Sequence, residues 1–244
     1  MSLGVDPIST VTKICNFSCT YCQLGYSGIV ADAAQRRIFV PTQDIVGELA
    51  ALDEDVRVDH VTFSGNGEPT LAANLGDMIR EAARLRRSKI ALITNGTLLG
   101  RKDIQEDLAT VDLVLVKLEA ADEAMFQALN HPAAGITLAG VMAGIRDFRS
   151  GFKGRLALQV MFVEKNRTQA QAIAQITAGL GADEVQLNTP LRPSAEKPLT
   201  PYQMVVIKKS FAGQNVRSVY EEEKQDYLPF DDQATARRHG QFKS

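Results

Sequence analysis

Cys15-Asn16-Phe17-Ser18-Cys19-Thr20-Tyr21-Cys22 contains all three cysteines of this 244-residue chain. Thiolates are the ligands that soft iron and zinc centres take, and three on one loop can grip a single metal centre. The count is odd. A structural zinc site closes with a fourth protein ligand, whereas a catalytic centre keeps a position open for substrate. The stretch directly follows residues 3–14, an apolar segment that reads as a first strand interrupted by Pro7. The remaining residues decide what kind of scaffold carries this loop.

Downstream, strand and helix patterns alternate. Thr42 reads as the N-cap of a helix with Ile45, Leu49 and Leu52 on one face. Val58–Ser64 reads as a strand, Leu71–Arg87 as a helix, Lys89–Thr94 as a strand and Arg101–Ala109 as a short helix. Leu113–Leu118 is the next strand. A helix from about Asp122 and a longer one carrying Leu138, Val141, Ile145 and Phe148 follow it. Arg155–Val163 and Glu184–Asn188 complete the strands, with helices at Thr168–Leu180 and from Thr200-Pro201 to about Ala212. Such alternation predicts parallel strands joined by right-handed crossovers. Six units are too few to close an eight-fold barrel.

Polar residues decide between a flat sheet and a curved one. Strands covered on both faces read as nearly continuous apolar runs. Here Thr62 and Ser64 share one face of their strand, as do Lys117 and Glu119, and Gln186 and Asn188, while Gln159 interrupts another. Buried without partners these would be costly; a wet cavity accommodates them. The expected fold is therefore α/β, a partial (β/α)6 barrel of parallel strands open on one side. Residues 1–212 form its core, and 213–244 a C-terminal extension packed on it or trailing from it. Within the extension only Asn215–Tyr220 shows strand-like alternation.

Composition narrows the function classes. The net charge of −2 offers no basic field for nucleic acid and speaks against DNA as a partner. No apolar run is long enough to span a bilayer, and no basic-then-apolar leader opens the chain, so the expected location is the cytoplasm. Three free thiols suit that reducing compartment. Without a further cysteine, no second Cys-ligated cluster can be housed.

The spacing C-x3-C-x2-C, with Tyr21 before the last cysteine, resembles the cluster loop of the radical S-adenosylmethionine (radical SAM) superfamily. Ser64-Gly65-Asn66-Gly67-Glu68-Pro69 resembles the family's GGE loop, with Asn66 where Gly is more frequent. The strings TFSGNGEPTL, LITNGTLL and VQLNTPLRP are similar to a small branch grouped with wyosine (tRNA) synthesis enzymes. The resemblance covers residues 3–200. It implies a [4Fe-4S] cluster on Cys15, Cys19 and Cys22, with the fourth iron left for SAM. It implies Tyr21 beside the adenine, Ser64 and Gly65 to Glu68 near the methionyl amine, and Glu119 or Lys117 at the ribose or carboxylate. Many relatives have Ser-x-Asp where this chain has Lys117-x-Glu119, a departure at that contact. Family members also carry residues ahead of Leu3-Gly4-Val5, which leaves the native start of this chain open.

Three further polar positions, Asn95, Gln159 and Asn188, join the candidate cofactor contacts. Lys117, Glu119 and Arg192 are the catalytic candidates, Arg192 as a clamp for a carboxylate or phosphate. The resulting expectation is an enzyme that reductively cleaves SAM to a 5′-deoxyadenosyl radical. The radical would abstract hydrogen from a small molecule, a nucleoside or tRNA, and an external flavodoxin- or ferredoxin-like one-electron donor would reduce the cluster. Other readings are an activase that installs a radical on a partner protein and a non-catalytic iron–sulfur module. A zinc module completed by His60 or His131 is a further one. The basic run Arg80, Arg84, Arg86, Arg87 and Lys89 reads as a solvated helix face.

Overall fold

The computed structural model describes residues 2–25, 35–53, 58–86 and 88–221. Residues 26–34 of the polar stretch between Gly25 and Arg37, together with Arg87 and the chain after residue 221, lie outside the described residues. Seven parallel strands form one sheet in sequence order: β1 (Ser2–Val5), β2 (His60–Phe63), β3 (Lys89–Thr94), β4 (Leu113–Lys117), β5 (Arg155–Met161), β6 (Glu184–Asn188) and β7 (Val216–Ser218). The helices between them are α1 (Thr42–Ala50), α2 (Leu75–Arg86), α3 (Lys102–Asp107), α4 (Glu123–Asn130), α5 (Leu138–Gly151), α6 (Ala170–Ala178) and α7 (Pro201–Lys209). β1 and β7 are the two edges, so the sheet does not close. The partial barrel expected from the sequence is present, extended by a seventh strand built from the Asn215–Tyr220 piece.

The two faces of the sheet differ sharply. Val61, Phe63, Leu92, Val114, Val116, Leu156 and Leu158 are buried with Met78, Ile79, Ile104, Ile145 and Phe148 of the helices in one cluster. A second cluster joins Val160, Phe162, Val185 and Leu187 to α6 and α7 through Ile173, Met204, Ile207 and Phe211. This outer face is dry. On the opposite face Lys117, Gln159, Gln186 and Arg217 align at one level across β4 to β7. Lys117, Gln159 and Gln186 are only half-buried. Leu113 pairs with Arg155 and Met161 with Asn188, which fixes the register below and above that row.

Several boundaries move for local reasons. β1 stops at Val5 because Asp6 turns the chain: its Oδ1 accepts the backbone N–H groups of Ile8 and Ser9, both at 2.9 Å. Thr42 is the first residue of α1 rather than its cap; Pro41 is the N-cap, and the Thr42 hydroxyl accepts from Asn74 Nδ2 at 3.0 Å. The helix read as Leu71–Arg87 opens as a 3-10 turn, Pro69–Leu71, before α2 begins. Thr200 and Gln203 form a full capping box with Pro201 at the first turn of α7, as the sequence suggests. On α2 the basic side chains are spoken for: Arg80 pairs with Asp77, Arg84 with Glu81, and Arg86 reaches the carbonyls of Leu52 and Asp53.

Candidate active site at the carboxyl ends of the strands

The cysteine loop is held on both sides by backbone. On one side Ile14 N donates to Asn66 O at 2.9 Å and Glu68 N donates to Ile14 O at 3.0 Å. A Cβ on Gly67, whose φ is +156°, would sit 1.6 Å from Ile14 O, so only glycine allows this approach. Gly65 is equally confined, by Asp6, whose Oδ2 also accepts Asn66 N at 3.0 Å. On the other side Ser18 N donates to Asn130 O and Thr20 N to Leu129 O, both at 2.9 Å, at the C-terminal end of α4. His131 ends that helix in a left-handed conformation, φ 42°. Cys19 is therefore fixed between two anchored residues.

The Glu68 side chain is engaged within the protein. Its buried carboxylate accepts from Thr70 N, Thr70 Oγ1, Thr94 Oγ1 and Asn95 N at 3.1, 2.7, 2.6 and 2.7 Å. Burial raises its pKa against these donors. In the same loop Ser64 N donates to Val5 O at 3.0 Å, so the turn is tied to β1 as well. Asn95, expected at the cofactor, bonds Asn16 Oδ1 at 2.6 Å and lies 3.9 Å from Cys15 Sγ. Asn16 Nδ2 then reaches Thr97 Oγ1 at 2.7 Å.

A second buried network lies across the loop. Tyr21 donates its hydroxyl to Glu119 Oε1 at 2.6 Å, and Asn130 Nδ2 reaches Glu119 Oε2 at 2.9 Å and Cys19 Sγ at 3.5 Å. Lys117 Nζ stands 4.9 Å from the centre of the Tyr21 ring. Burial raises the pKa of Glu119, with Lys117 opposing the shift. Burial also raises Tyr21 well above the usual phenol range. Of the remaining candidates, Gln159 meets Gln186 at 3.4 Å and Asn188 sits half-buried at the end of β6. Arg192 donates to Gln23 Oε1 at 2.8 Å, tying the loop after β6 to the cysteine loop. Lys165 Nζ reaches Glu196 Oε1 at 2.6 Å within the same rim. The loops after β5 and β6 and the cysteine loop thus meet over the carboxyl ends of the strands.

Asp6, Asn16 and Asn130 were not singled out from the sequence. Each acts on a partner far along the chain, for example 111 residues for Asn130 and Cys19. Their only local signal is a short polar residue in an otherwise apolar setting.

The donor set fits a three-thiolate iron–sulfur cluster. It supplies three sulfurs. Among the described residues no three His, Cys, Asp or Glu side chains, the three cysteines included, gather closely enough to hold a single metal ion. Burial, reinforced by Glu68 and Cys19, pushes the Cys15 thiol up to about 12, and burial also raises Cys19. Neither thiol is poised as a free nucleophile, and metal binding would displace their protons. Buried polar atoms without a hydrogen bond gather here as well. Lys13 Nζ, Thr20 Oγ1 and Asn130 Oδ1 are three of four such side-chain atoms among the described residues. Thr20 faces Glu196 without hydrogen-bond geometry.

The Radical SAM superfamily model matches residues 9–174. A UPF0026 protein of Synechocystis sp. is 39% identical over 199 residues, 81% of this chain and 72% of the relative. One from Methanocaldococcus jannaschii is 33% identical over 86% of this chain and 66% of its own length. A probable GTP 3′,8-cyclase of Metallosphaera sedula is 28% identical, over 73% of this chain and 53% of the relative. Among solved structures, Streptococcus suis SuiB bound to S-adenosylmethionine superimposes with a TM-score of 0.64 at 16% identity, covering 89% of this chain and 50% of SuiB. TYW1 with a lysine-pyruvate adduct bound gives 0.62 at 12% identity, over 86% of this chain and 74% of TYW1. The chain thus spans about half to three quarters of these relatives. A three-cysteine loop clamped to a glycine-rich turn at the mouth of an open parallel barrel, matched over most of its length, places the chain in the radical SAM superfamily, alongside the UPF0026 proteins.

Proposed function

We propose that this protein abstracts hydrogen from a nucleoside or nucleotide substrate held against the inner face of the sheet. The observation that carries the reading is the polar row Lys117, Gln159 and Gln186, half-buried on that face and continued upward by Glu119 and Asn188. Amide side chains both donate and accept, which suits the edges of a base or the hydroxyls of a sugar. Similarity to a probable GTP 3′,8-cyclase supports the same class. With cluster and SAM bound, one-electron reduction supplies methionine and a 5′-deoxyadenosyl radical, chemistry that belongs to the cofactor.

The chain's own residues bind and orient. Cys15, Cys19 and Cys22 would hold the cluster, and the backbone from Ser64 to Gly67 would meet the methionyl end of SAM. Tyr21, its hydroxyl engaged by Glu119, offers a fixed ring edge to the adenine, and Lys117 offers a charge beside it. Glu68 holds the glycine-rich turn to the end of β3 rather than touching ligand. Gln23 and Arg192 join the cysteine loop to the loop after β6 at the exposed rim. The electron donor would be a flavodoxin- or ferredoxin-like protein and the compartment the cytoplasm. No helix among the described residues is long and apolar enough to cross a membrane.

The test is anaerobic reconstitution with iron and sulfide, followed by dithionite and SAM, with 5′-deoxyadenosine measured by chromatography. The expected result is slow release alone and at least about tenfold faster release with GTP or a guanosine-containing RNA, a barrier difference of about 1.4 kcal/mol. No 5′-deoxyadenosine from a loaded cluster would overturn the enzyme reading. Stimulation by peptides but not nucleotides would overturn the substrate class.

A further inference from the structure

We propose that Asn130 is a positioning residue for the iron–sulfur centre, its side-chain amide holding the Cys19 sulfur and the Glu119 carboxylate apart and raising the reduction potential of the cluster. The inference rests on the cluster reading of Cys15, Cys19 and Cys22. Asn130 is the last residue of α4 and is fully buried. Its Nδ2 lies 2.9 Å from Glu119 Oε2, 3.3 Å from the Tyr21 hydroxyl and 3.5 Å from Cys19 Sγ. A carboxylate must be faced by a donor, which fixes the nitrogen of this amide toward Glu119 and the sulfur. Two hydrogens thus serve three acceptors.

This geometry is imposed by backbone. Ser18 N and Thr20 N, on either side of Cys19, bond the carbonyls of Asn130 and Leu129. Cys19 and Asn130 are therefore carried by two segments locked together, and only their two short side chains span the 3.5 Å between amide and sulfur. The position also has a cost: Asn130 Oδ1 is buried without a hydrogen-bond partner. Leucine has a similar size and would remove that cost, so the carboxamide is explained by what its N–H groups do. A thiolate that receives an N–H dipole is easier to leave beside an added electron, because the dipole stabilises the more negative state. The Glu119 carboxylate, also buried, lies on the other side of the same amide. Asn130 stands between the two.

The test compares wild type with Asn130→Leu and Asn130→Asp, each reconstituted anaerobically. Iron and sulfide are counted per chain, and the midpoint potential is read by dithionite titration followed by electron paramagnetic resonance. Wild type should carry about four irons per chain. Failure there sinks the cluster reading itself, and the proposal with it. In loaded variants the midpoint should move to more negative potential. Asn130→Asp should move it further than Asn130→Leu, because it adds a negative charge. An unchanged midpoint in a loaded variant overturns the proposal. So does a variant with the circular dichroism of wild type that takes up no iron, since Asn130 would then serve only to hold the loop. Should Asn130→Leu fail to fold, the near-isosteric Asn130→Asp decides the matter by the same readings.

Discussion

Two glutamates, Glu68 and Glu119, are buried on either side of the cysteine loop, and they are spent differently. Glu68 accepts four hydrogen bonds, all from Thr70, Thr94 and Asn95, and so ties the glycine-rich turn to β3. Glu119 accepts from Tyr21 and Asn130, each of which also touches the surroundings of Cys19, and has Lys117 near it. Similar burial therefore accompanies two roles. Glu68 belongs to the frame, and Glu119 belongs to the network around Cys19. A carboxylate saturated by donors of its own turn and of the neighbouring strand is a structural fastener, whereas one shared with the neighbours of a ligand is available to influence that ligand.

The comparison breaks most visibly at the frame. Glu68→Ala strands two hydroxyls and two backbone N–H groups in a dry site and should cost about 3–5 kcal/mol, read as a lowered urea midpoint. Gly67→Ala should follow at about 1–3 kcal/mol, because its new Cβ meets Ile14 O. It should also reduce iron uptake in proportion to the loosened clamp, measured as iron per chain. On the other side of the loop, Glu119→Gln should change stability by less than about 1.5 kcal/mol, since it keeps the volume and one acceptor. It should nevertheless slow 5′-deoxyadenosine release by about tenfold or more, a barrier change of at least about 1.4 kcal/mol. Equal stability losses for Glu68→Gln and Glu119→Gln, with equal losses of activity, would erase the distinction.

The smallest effect lies away from both glutamates and serves as a baseline. A hydrogen bond from Arg101, with Arg36 also contributing, lowers the Asp103 pKa to about 2. Because the folded value lies below the usual 3.8, the pair's contribution is present above pH 3.8 and fades as pH falls through 2. Asp103→Asn should therefore lower Tm slightly at pH 6 and not at pH 2. Comparing melting curves at the two values checks this.

Much of the fold was written in periodicity. The strands that pair in the sheet are the apolar runs between the helical patterns, and Thr62, Lys117, Gln159 and Gln186, which interrupt those runs, are the half-buried residues of its inner face. Legibility failed where a single residue overrode the pattern: Asp6 ends β1 by capturing two N–H groups, and Pro41 rather than Thr42 caps α1. Of the site, the cysteines and the glycine-rich turn stood out by spacing. The direction of Glu68, inward to Thr94 and Asn95, could not be read from spacing, because it is set by the neighbouring strand. Asn130 was invisible for a similar reason: its partners are brought to it only when α4 folds back under the cysteine loop.

The clamp on residues 14–20 includes backbone bonds to Asn66, Glu68, Leu129 and Asn130, joined by side-chain bonds from Asn16 to Asn95 and Thr97. Those bonds owe nothing to a metal. Many small metal-binding segments collapse when stripped, because coordination is their folding energy. Here oxidative loss of iron would leave the ligand-bearing strand in its seat, so repair after oxygen damage becomes a matter of reinserting iron and sulfide into a standing site rather than refolding the chain around them.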